Sequence, residues 1–178
     1  MISDKNKFSH ISLTPKNFYN LPSYVYVGHP IKKIFEECNE EQIKEFTLFI
    51  ENVAVILNKH GYTPLIPSML GHNNSSKIIE VKEIYANCAK ACRIACLFIA
   101  IPVNDSTGLG MEYQIALSND IPIIALCDEN KTVTGMINES TANIITYSCL
   151  QTALEKLDRH LSSNCYYNNL SYYSFDQV

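Results

Sequence analysis

The stretch between residues 93 and 126 contains the residues whose types and spacing best suit chemistry. An apolar run, Ala95–Ile101, leads through a polar loop into Gly108-Leu109-Gly110-Met111-Glu112, and a second apolar run, Ile121–Leu126, closes the unit. A buried strand that opens through glycines into a helix presents free backbone N–H groups at one point, where anions bind well. Glu112 is expected in the first turn of that helix, at the edge where open α/β sheets bind ligands. The pattern predicts an enzyme that acts on a small sugar- or phosphate-bearing molecule.

Short apolar runs alternate with helical periodicity along the rest of the chain. The predicted strands are Tyr24–Val27, Thr63–Ile66, Ala95–Ile101, Ile121–Leu126 and Asn143–Tyr147. The predicted helices are one from Asn39 to Gly61, then Lys77–Cys92, Gly110–Asn119, Thr132–Asn138 and Leu150–Leu161. This alternation favours a parallel sheet covered on both faces.

The fold class expected is therefore α/β: a single-domain, three-layer, Rossmann-like or flavodoxin-like fold with about five mostly parallel strands. The ends of its first and third strands would flank the ligand crevice. Residues 1–23 are polar and are expected to form a flexible N-terminal arm, residues 24–163 the domain, and residues 164–178 a C-terminal tail rich in tyrosine and asparagine.

The composition of the chain limits the kinds of molecule that it is expected to bind. The chain has 178 residues, 47% of them hydrophobic, and a net charge of −4 without a basic stripe, which argues against a nucleic acid polymer as partner. No apolar run approaches the roughly 20 residues of a membrane span. An odd number of cysteines, seven, and a polar N-terminus favour reduced thiols in a cytoplasmic protein. No cofactor is expected.

The string Ile101-Pro102, a polar loop, Gly108-Leu109-Gly110-Met111-Glu112 and then Ala116-Leu117-Ser118 resembles the nucleoside 2-deoxyribosyltransferases and their relatives, the 2′-deoxynucleoside 5′-phosphate N-hydrolases. The likeness is densest from Ala95 to Met136. It implies cleavage of the N-glycosidic bond of a 2′-deoxynucleoside or its 5′-monophosphate, by hydrolysis or by base transfer. Glu112 matches the nucleophilic glutamate of that family. From its position alone, Glu112 is better explained as a first-turn acid favoured by the helix dipole, and the flanking match is what favours a catalytic role.

The resemblance also implies a set of substrate-binding residues. Ser106 matches a serine that contacts the 5′-phosphate in the nucleotide hydrolases, although a serine there also suits a helix cap. Thr134 matches a residue supplied to the neighbouring subunit's pocket, which implies a homo-oligomer with shared active sites. Tyr26 matches an aromatic residue that lines the pocket. Gly28, like Gly108 and Gly110 in the glycine-rich turn, permits close backbone approach.

Other residues near the expected pocket allow more than one interpretation. His29 could stack on the base or hydrogen-bond to it, Lys32 or Lys33 could contact a phosphate, and Asp105 could replace Ser106. The family usually carries an aspartate in the helix before the third strand, and here Asn87 is the nearest polar substitute, with Glu83 one turn earlier. Because an amide cannot act as an acid, an inactive nucleotide-binding sensor of the same fold is the alternative function.

Cys88, Cys92 and Cys96 recur at every fourth residue. A metal site is one interpretation, but the expected strand position of Cys96 and the absence of a nearby histidine in sequence favour buried thiols. We therefore expect no metal. The tyrosine pairs of the tail, Tyr166-Tyr167 and Tyr172-Tyr173, could pack on a neighbouring subunit or over the pocket.

Overall fold

A computed structural model describes residues 23–30, 34, 36–67, 81–131, 137 and 143–166 of the chain. The N-terminal arm predicted over residues 1–23 lies outside these ranges except for its last residue, and so does most of the C-terminal tail. The short helix predicted over Thr132–Asn138 also falls outside them, apart from Ile137.

The described residues form one parallel α/β unit. Its strands are β1 (Tyr24–Gly28), β2 (Thr63–Leu65), β3 (Leu97–Ala100), β4 (Ile123–Asp128) and β5 (Asn143–Tyr147). Its helices are α1 (Glu40–Lys59), α2 (Val81–Ile94), α3 (Thr107–Ser118) and α4 (Leu150–Ser163). The strands pair in parallel in the order β2-β1-β3-β4-β5. The predicted three-layer α/β fold is confirmed.

Local sequence signals explain where α1 begins and ends. Asn39 Oδ1 accepts from the Gln42 N–H at 2.9 Å, and Gln42 Oε1 accepts from the Asn39 N–H at 3.0 Å. This reciprocal pair is the predicted capping box. After the helix, Gly61 takes a φ of 79°, a left-handed conformation that glycine adopts without strain. The chain then turns directly into β2.

Two hydrophobic layers cover the sheet. On one face, α1 and α4 pack through Phe49, Val53, Leu57 and Leu157 onto strand residues that include Val25 and Val27. On the other face, α2 and α3 pack onto Tyr24, Tyr26 and Phe98. Alternate residues of β1 therefore belong to opposite layers, as the period of a strand requires. This alternation decides which residues at the end of β1 can meet α3.

No helix within the described ranges is long and apolar enough to span a bilayer.

Candidate active site

The site lies at the carboxyl edge of the sheet, between the ends of β1 and β3. These strands align Gly28 with Ala100, and the Ile101 N–H donates to the Gly28 carbonyl at 2.9 Å. The strand order reverses here, because β2 extends the sheet beyond β1 and β4 extends it beyond β3. The segments that follow β1 and β3 therefore leave the sheet in opposite directions, and a crevice opens between them. Such a crevice is the usual ligand site of this architecture.

Ser106 determines where α3 begins. It has an extended backbone (φ −146°, ψ 118°), and its Oγ accepts from the Leu109 N–H at 3.3 Å while its carbonyl accepts from the Gly110 N–H at 3.0 Å. The helix consequently begins at Thr107, three residues before the predicted start. Glu112 is its sixth residue and lies in the second turn, so the prediction of a first-turn acid is wrong. Because the dipole effect fades beyond the first turn, it does not explain this glutamate.

A hydrogen bond to β1 holds the Glu112 carboxyl. The Tyr26 hydroxyl donates to Glu112 Oε1 at 2.7 Å. Tyr26 is fully buried and stacks on Phe98 with ring centroids 5.4 Å apart and planes 17° apart, and Tyr113 meets Phe98 edge-on at 6.3 Å. Side chains of helical residues lean toward the N-terminus of the helix, so Glu112 leans toward the carboxyl edge. A packed aromatic stack thus fixes the donor that orients the carboxyl.

Burial changes the acidity of both partners. Burial raises the pKa of Glu112 from 4.5 to about 7, even though the hydrogen bond from Tyr26 lowers it. Burial and the adjacent Glu112 raise the pKa of Tyr26 well above its usual range. Tyr26 is therefore a neutral donor, and Glu112 is poised between its charged and neutral forms near pH 7. Such a carboxyl can serve as a nucleophile, a general base or a general acid.

Gly28 leaves the space that the carboxyl occupies. A Cβ built at this position would lie 2.8 Å from Phe98 Cζ, 2.9 Å from Leu109 Cδ1 and 3.2 Å from Glu112 Oε2. The first two distances are far below van der Waals contact, so a larger residue would displace the Phe98 ring or the start of α3. Glycine at the end of β1 is needed for close packing of α3 against the strand.

The residue of α2 that faces this pair is Cys88, whereas Asn87 is exposed. The half-buried Cys88 thiol and the buried Cys92 thiol, one turn further along, lie near Tyr26 and Glu112: burial raises the pKa of both thiols, the carboxylate raises it further, and the Tyr26 hydroxyl lowers it. The sequence analysis considered a metal site for these thiols and favoured buried core residues. Their four-residue spacing, which puts both on one face of a helix, was the signal that could have assigned them to the site.

His29 lies on the opposite face of the sheet from Glu112. Its Nδ1 is 3.2 Å from the Val27 carbonyl, and its ring is 5.7 Å from the Phe46 ring of α1. Burial lowers the pKa of His29 to about 4, so the ring is neutral at pH 7. These two contacts belong to the packing between β1 and α1, on the other side of the sheet from the Tyr26–Glu112 pair.

The other residues expected in the site are either exposed or outside the described ranges. Gly108 and Gly110 are exposed; a Cβ at Gly108 would come no closer than 3.8 Å to Ser106 Oγ, and one at Gly110 would meet nothing within 4 Å. Asp105 is exposed beside Ser106. Thr134, Lys32 and Lys33 lie outside the described residues, and the side chain of Glu83 does too.

The three cysteines with four-residue spacing do not converge. Cys96 belongs to the hydrophobic layer of α1 and α4, and its thiol donates to the Tyr24 carbonyl at 3.1 Å. Cys88 and Cys92 belong to the layer of α2 and α3. Across the part of the chain that the structure describes, no group of three His, Cys, Asp or Glu side chains could hold a metal ion. All seven cysteines are free thiols.

Comparison with protein-family models and with curated proteins gives no match. Solved structures do match. The Clostridium botulinum CMP N-glycosidase BcmB shares 22% identity over 77% of this chain and 99% of its own, with a TM-score of 0.56. A 2-deoxyribosyltransferase from Bacillus psychrosaccharolyticus shares 17% identity over 72% and 88%, with a TM-score of 0.54. BlsM shares 19% identity over 80% and 91%, with a TM-score of 0.58.

At such identities the likeness establishes the fold. The named neighbours include an N-glycosidase and a deoxyribosyltransferase, and both fit the superfamily that the residues around Glu112 resemble.

Proposed function

We propose that this chain cleaves the N-glycosidic bond of a 2′-deoxynucleoside or a 2′-deoxynucleoside 5′-monophosphate, with Glu112 as the nucleophile. The observation that carries the proposal is the half-buried Glu112 carboxyl at the β1–β3 crevice, held by the Tyr26 hydroxyl at 2.7 Å. A fold shared with an N-glycosidase and a deoxyribosyltransferase supports it.

The arrangement suits a two-step displacement. Tyr26 occupies Oε1 of Glu112, which leaves Oε2 for the sugar. In the first step Oε2 bonds to C1′ while the C1′–N bond breaks, and its electron pair leaves with the base, which takes a proton from water. In the second step water, or a nitrogen of another base, attacks C1′ and loses a proton to solvent, while the C1′–Oε2 bond breaks and its electron pair returns to the carboxylate. A nearby negative charge stabilises the oxocarbenium-like centre in both steps.

The start of α3 suits the 5′ end of the substrate. About 9 Å of helix rise separates Ser106 from Glu112, a length comparable with a sugar phosphate. Ser106 can donate a hydrogen bond to a phosphate without adding negative charge, and the N-terminal N–H groups of α3 favour an anion. Lys131, whose Nζ donates to the Val103 carbonyl at 2.9 Å, holds the loop that leads to Ser106. We expect Thr134 to complete this end in a neighbouring subunit.

The proposed reaction has variants that differ in the acceptor, which is water or a second base, and in the sugar of the substrate. Hydrolysis and transfer share the first step and differ in whether water or a second base opens the ester. A ribonucleotide substrate is a variant of the same proposal, and the CMP N-glycosidase among the structural neighbours favours testing it.

The alternative function is a nucleotide sensor without turnover. Its support is the α2 side of the site, where Glu112 faces the thiols of Cys88 and Cys92 and where Asn87 is exposed. Neutral thiols are weak acids and poor proton donors. A site of this kind can bind a nucleotide while protonating a departing base slowly.

Base release decides between these functions. The purified chain is incubated with each deoxynucleoside, each deoxynucleoside 5′-monophosphate and the matching ribonucleotides, and free base is measured by chromatography. Glu112→Ala and Glu112→Gln should lose release, whereas Glu45→Gln, an exposed acid on α1, is the matched control and should retain it. Ligand-induced thermal stabilisation without release would favour the sensor. Release that survives in both Glu112 variants would rule out the proposed nucleophile.

A further inference from the structure

A lysine that follows β4 contacts the loop that joins β3 to α3. Strand β4 pairs Ala125 with Ala100 at the end of β3 and continues for three more residues, to Asp128. It therefore runs beside the first residues of the β3–α3 loop. From the turn after β4, Lys131 donates from Nζ to the Val103 carbonyl at 2.9 Å. This contact joins two segments of the carboxyl edge that lie 28 positions apart in the chain.

The turn that carries Lys131 is held by hydrogen bonds of its own. Asp128 Oδ1 accepts from the Asn130 N–H at 2.9 Å, and the Asp128 carbonyl accepts from the Lys131 N–H at 3.1 Å. The Glu129 N–H donates to the Tyr147 carbonyl of β5 at 2.9 Å. The backbone of the turn is thus tied to β4 and β5, and the side chain of Lys131 crosses from it to the β3–α3 loop.

The charges at the carboxyl edge bear on how a phosphate is held there. Glu112 and the exposed Asp105 lie on either side of Ser106 in the chain, and both repel a phosphate dianion. Lys131 is the one lysine or arginine in the described segments that follow the five strands, which are residues 29–30, 34, 36–39, 66–67, 101–106, 129–131 and 148–149. Among these segments, Lys131 alone can offset the charge of a phosphate at Ser106.

The length of the loop places the Lys131 ammonium near Ser106. Val103 and Ser106 are three residues apart, a separation that extended chain spans in at most about 11 Å. A lysine ammonium has three N–H donors on a flexible four-carbon stem. The Val103 carbonyl uses one donor and, being neutral, does not cancel the charge. Two donors and the positive charge remain for an anion that is bound beside Ser106.

We propose that Lys131 is a specificity-determining residue of the site: its ammonium binds the 5′-phosphate of the substrate together with Ser106, so that the site prefers a deoxynucleoside 5′-monophosphate to the nucleoside. This inference deepens the proposed function and rests on it for the position of the substrate. Lysine binds phosphate as a point charge and not through a fixed bidentate geometry. Loss of the charge therefore weakens the phosphate contact and leaves the contacts of the sugar and the base in place.

The test compares the dissociation constants of each deoxynucleoside 5′-monophosphate and its nucleoside by calorimetry. Every chain also carries Glu112→Gln, so that no ligand is consumed. Lys131→Met should weaken binding of the monophosphate about tenfold and leave binding of the nucleoside unchanged, whereas Lys131→Arg should retain both affinities. Lys156→Met is the matched control, because Lys156 Nζ also donates to a backbone carbonyl, that of Thr146 at 2.7 Å. It should bind both ligands as the parent chain does.

A further variant separates the charge of Lys131 from its hydrogen bond to the loop. Lys131→Gln retains an N–H donor for the Val103 carbonyl but has no charge, so it should weaken monophosphate binding as much as Lys131→Met does. Added salt should weaken monophosphate binding more in the chain with Lys131 than in Lys131→Met, because salt screens exposed charges. Full affinity in Lys131→Gln would overturn the proposal, since attachment of the loop would then explain the effect.

The outcomes distinguish this inference from the proposed function. If no chain with Glu112 intact releases base, yet Lys131→Met selectively loses affinity for the monophosphate, the role of Lys131 stands and the glycosidase proposal fails. If base is released with the same kcat/KM from monophosphates whether or not Lys131 is present, the glycosidase proposal stands and the role of Lys131 is overturned. Equal losses in Lys131→Met and Lys156→Met would also overturn it. Thermal melting of each variant verifies folding.

Discussion

The Tyr26 hydroxyl and the Glu112 carboxyl, 86 positions apart in the sequence, are joined by a hydrogen bond of 2.7 Å. One partner comes from the first strand and the other from the second turn of α3, so the bond spans the crevice where the strand order reverses. It stabilises the charged form of a carboxyl whose burial favours the neutral form. The balance between these two effects leads to most of the predictions below.

Replacing the carboxyl should stabilise the fold at alkaline pH. The pKa of Glu112 is raised from 4.5 to about 7 in the folded chain, so its contribution to stability is fully present below pH 4.5 and is lost as the pH rises through 7. Glutamine carries no charge, so Glu112→Gln does not lose stability as the pH rises. We expect its free energy of unfolding to exceed that of the unmodified chain by up to about 3 kcal/mol at pH 8.5, and not to exceed it at pH 4. Denaturant melts at both pH values measure this. Equal stability at pH 8.5 would contradict the burial of the charge.

The pH dependence of turnover reports the role of Glu112. A nucleophile must be ionised, so kcat/KM should rise with pH through a midpoint near 7, the pKa of Glu112. Tyr26→Phe removes the hydrogen bond that lowers this pKa and should move the midpoint upward by about one unit. Tyr147→Phe, a buried tyrosine of β5 in the other hydrophobic layer, is the control and should leave the midpoint unchanged. A rate that falls as the pH rises through 7 would assign Glu112 as a general acid instead.

Alanine at two glycines should have opposite effects on stability. Gly28→Ala puts a Cβ 2.8 Å from Phe98 Cζ and 2.9 Å from Leu109 Cδ1, and overpacking of this kind costs about 1–3 kcal/mol. Gly110→Ala meets nothing within 4 Å inside a helix and should gain about 0.5–1 kcal/mol. Urea unfolding of both variants checks this. A loss of stability in Gly110→Ala would show that α3 does not begin where Ser106 caps it.

Substitutions at Ser106 can separate its capping role from its proposed phosphate contact. Ser106→Asp can still accept from the Leu109 N–H and cap α3, but its charge should repel a 5′-phosphate. KM for a deoxynucleoside 5′-monophosphate should then rise at least about tenfold while KM for the nucleoside changes little. Ser106→Ala should lose about 1 kcal/mol of stability. If Ser106→Asp affects both substrates equally, Ser106 does not contact the phosphate.

The expected contribution of Thr134 to a neighbouring pocket predicts an oligomer. Sedimentation velocity at micromolar concentration should give a species at least twice the 20.1 kDa of one chain. Mixing inactive Glu112→Ala with inactive Thr134→Ala chains should restore part of the base release, because hybrid oligomers contain one pocket with both residues intact. A fully active monomer would contradict the shared site.

The amino-acid sequence by itself determined the architecture, and it predicted Glu112 as the acid of the site. Alternating periodicities predicted the parallel sheet, and Asn39 with Gln42 predicted the start of α1, because caps and hydrophobic period act over a few residues. The start of α3 was misjudged even so: the glycines suggested a later beginning, while the Ser106 side chain caps the helix earlier. Because α3 begins three residues earlier than predicted, Glu112 lies in its second turn, where the effect of the helix dipole is small.

Only the tertiary structure decided which residues meet. Strand alternation and packing sent His29 to the α1 face and Tyr26 to the α3 face, although they are three positions apart. The rotation of α2 turned Cys88 toward Glu112 and left Asn87 exposed. The acidity of Glu112 depends on burial by β1, α2 and α3 together. Such properties arise from contacts between distant segments, which no local pattern of residue types contains.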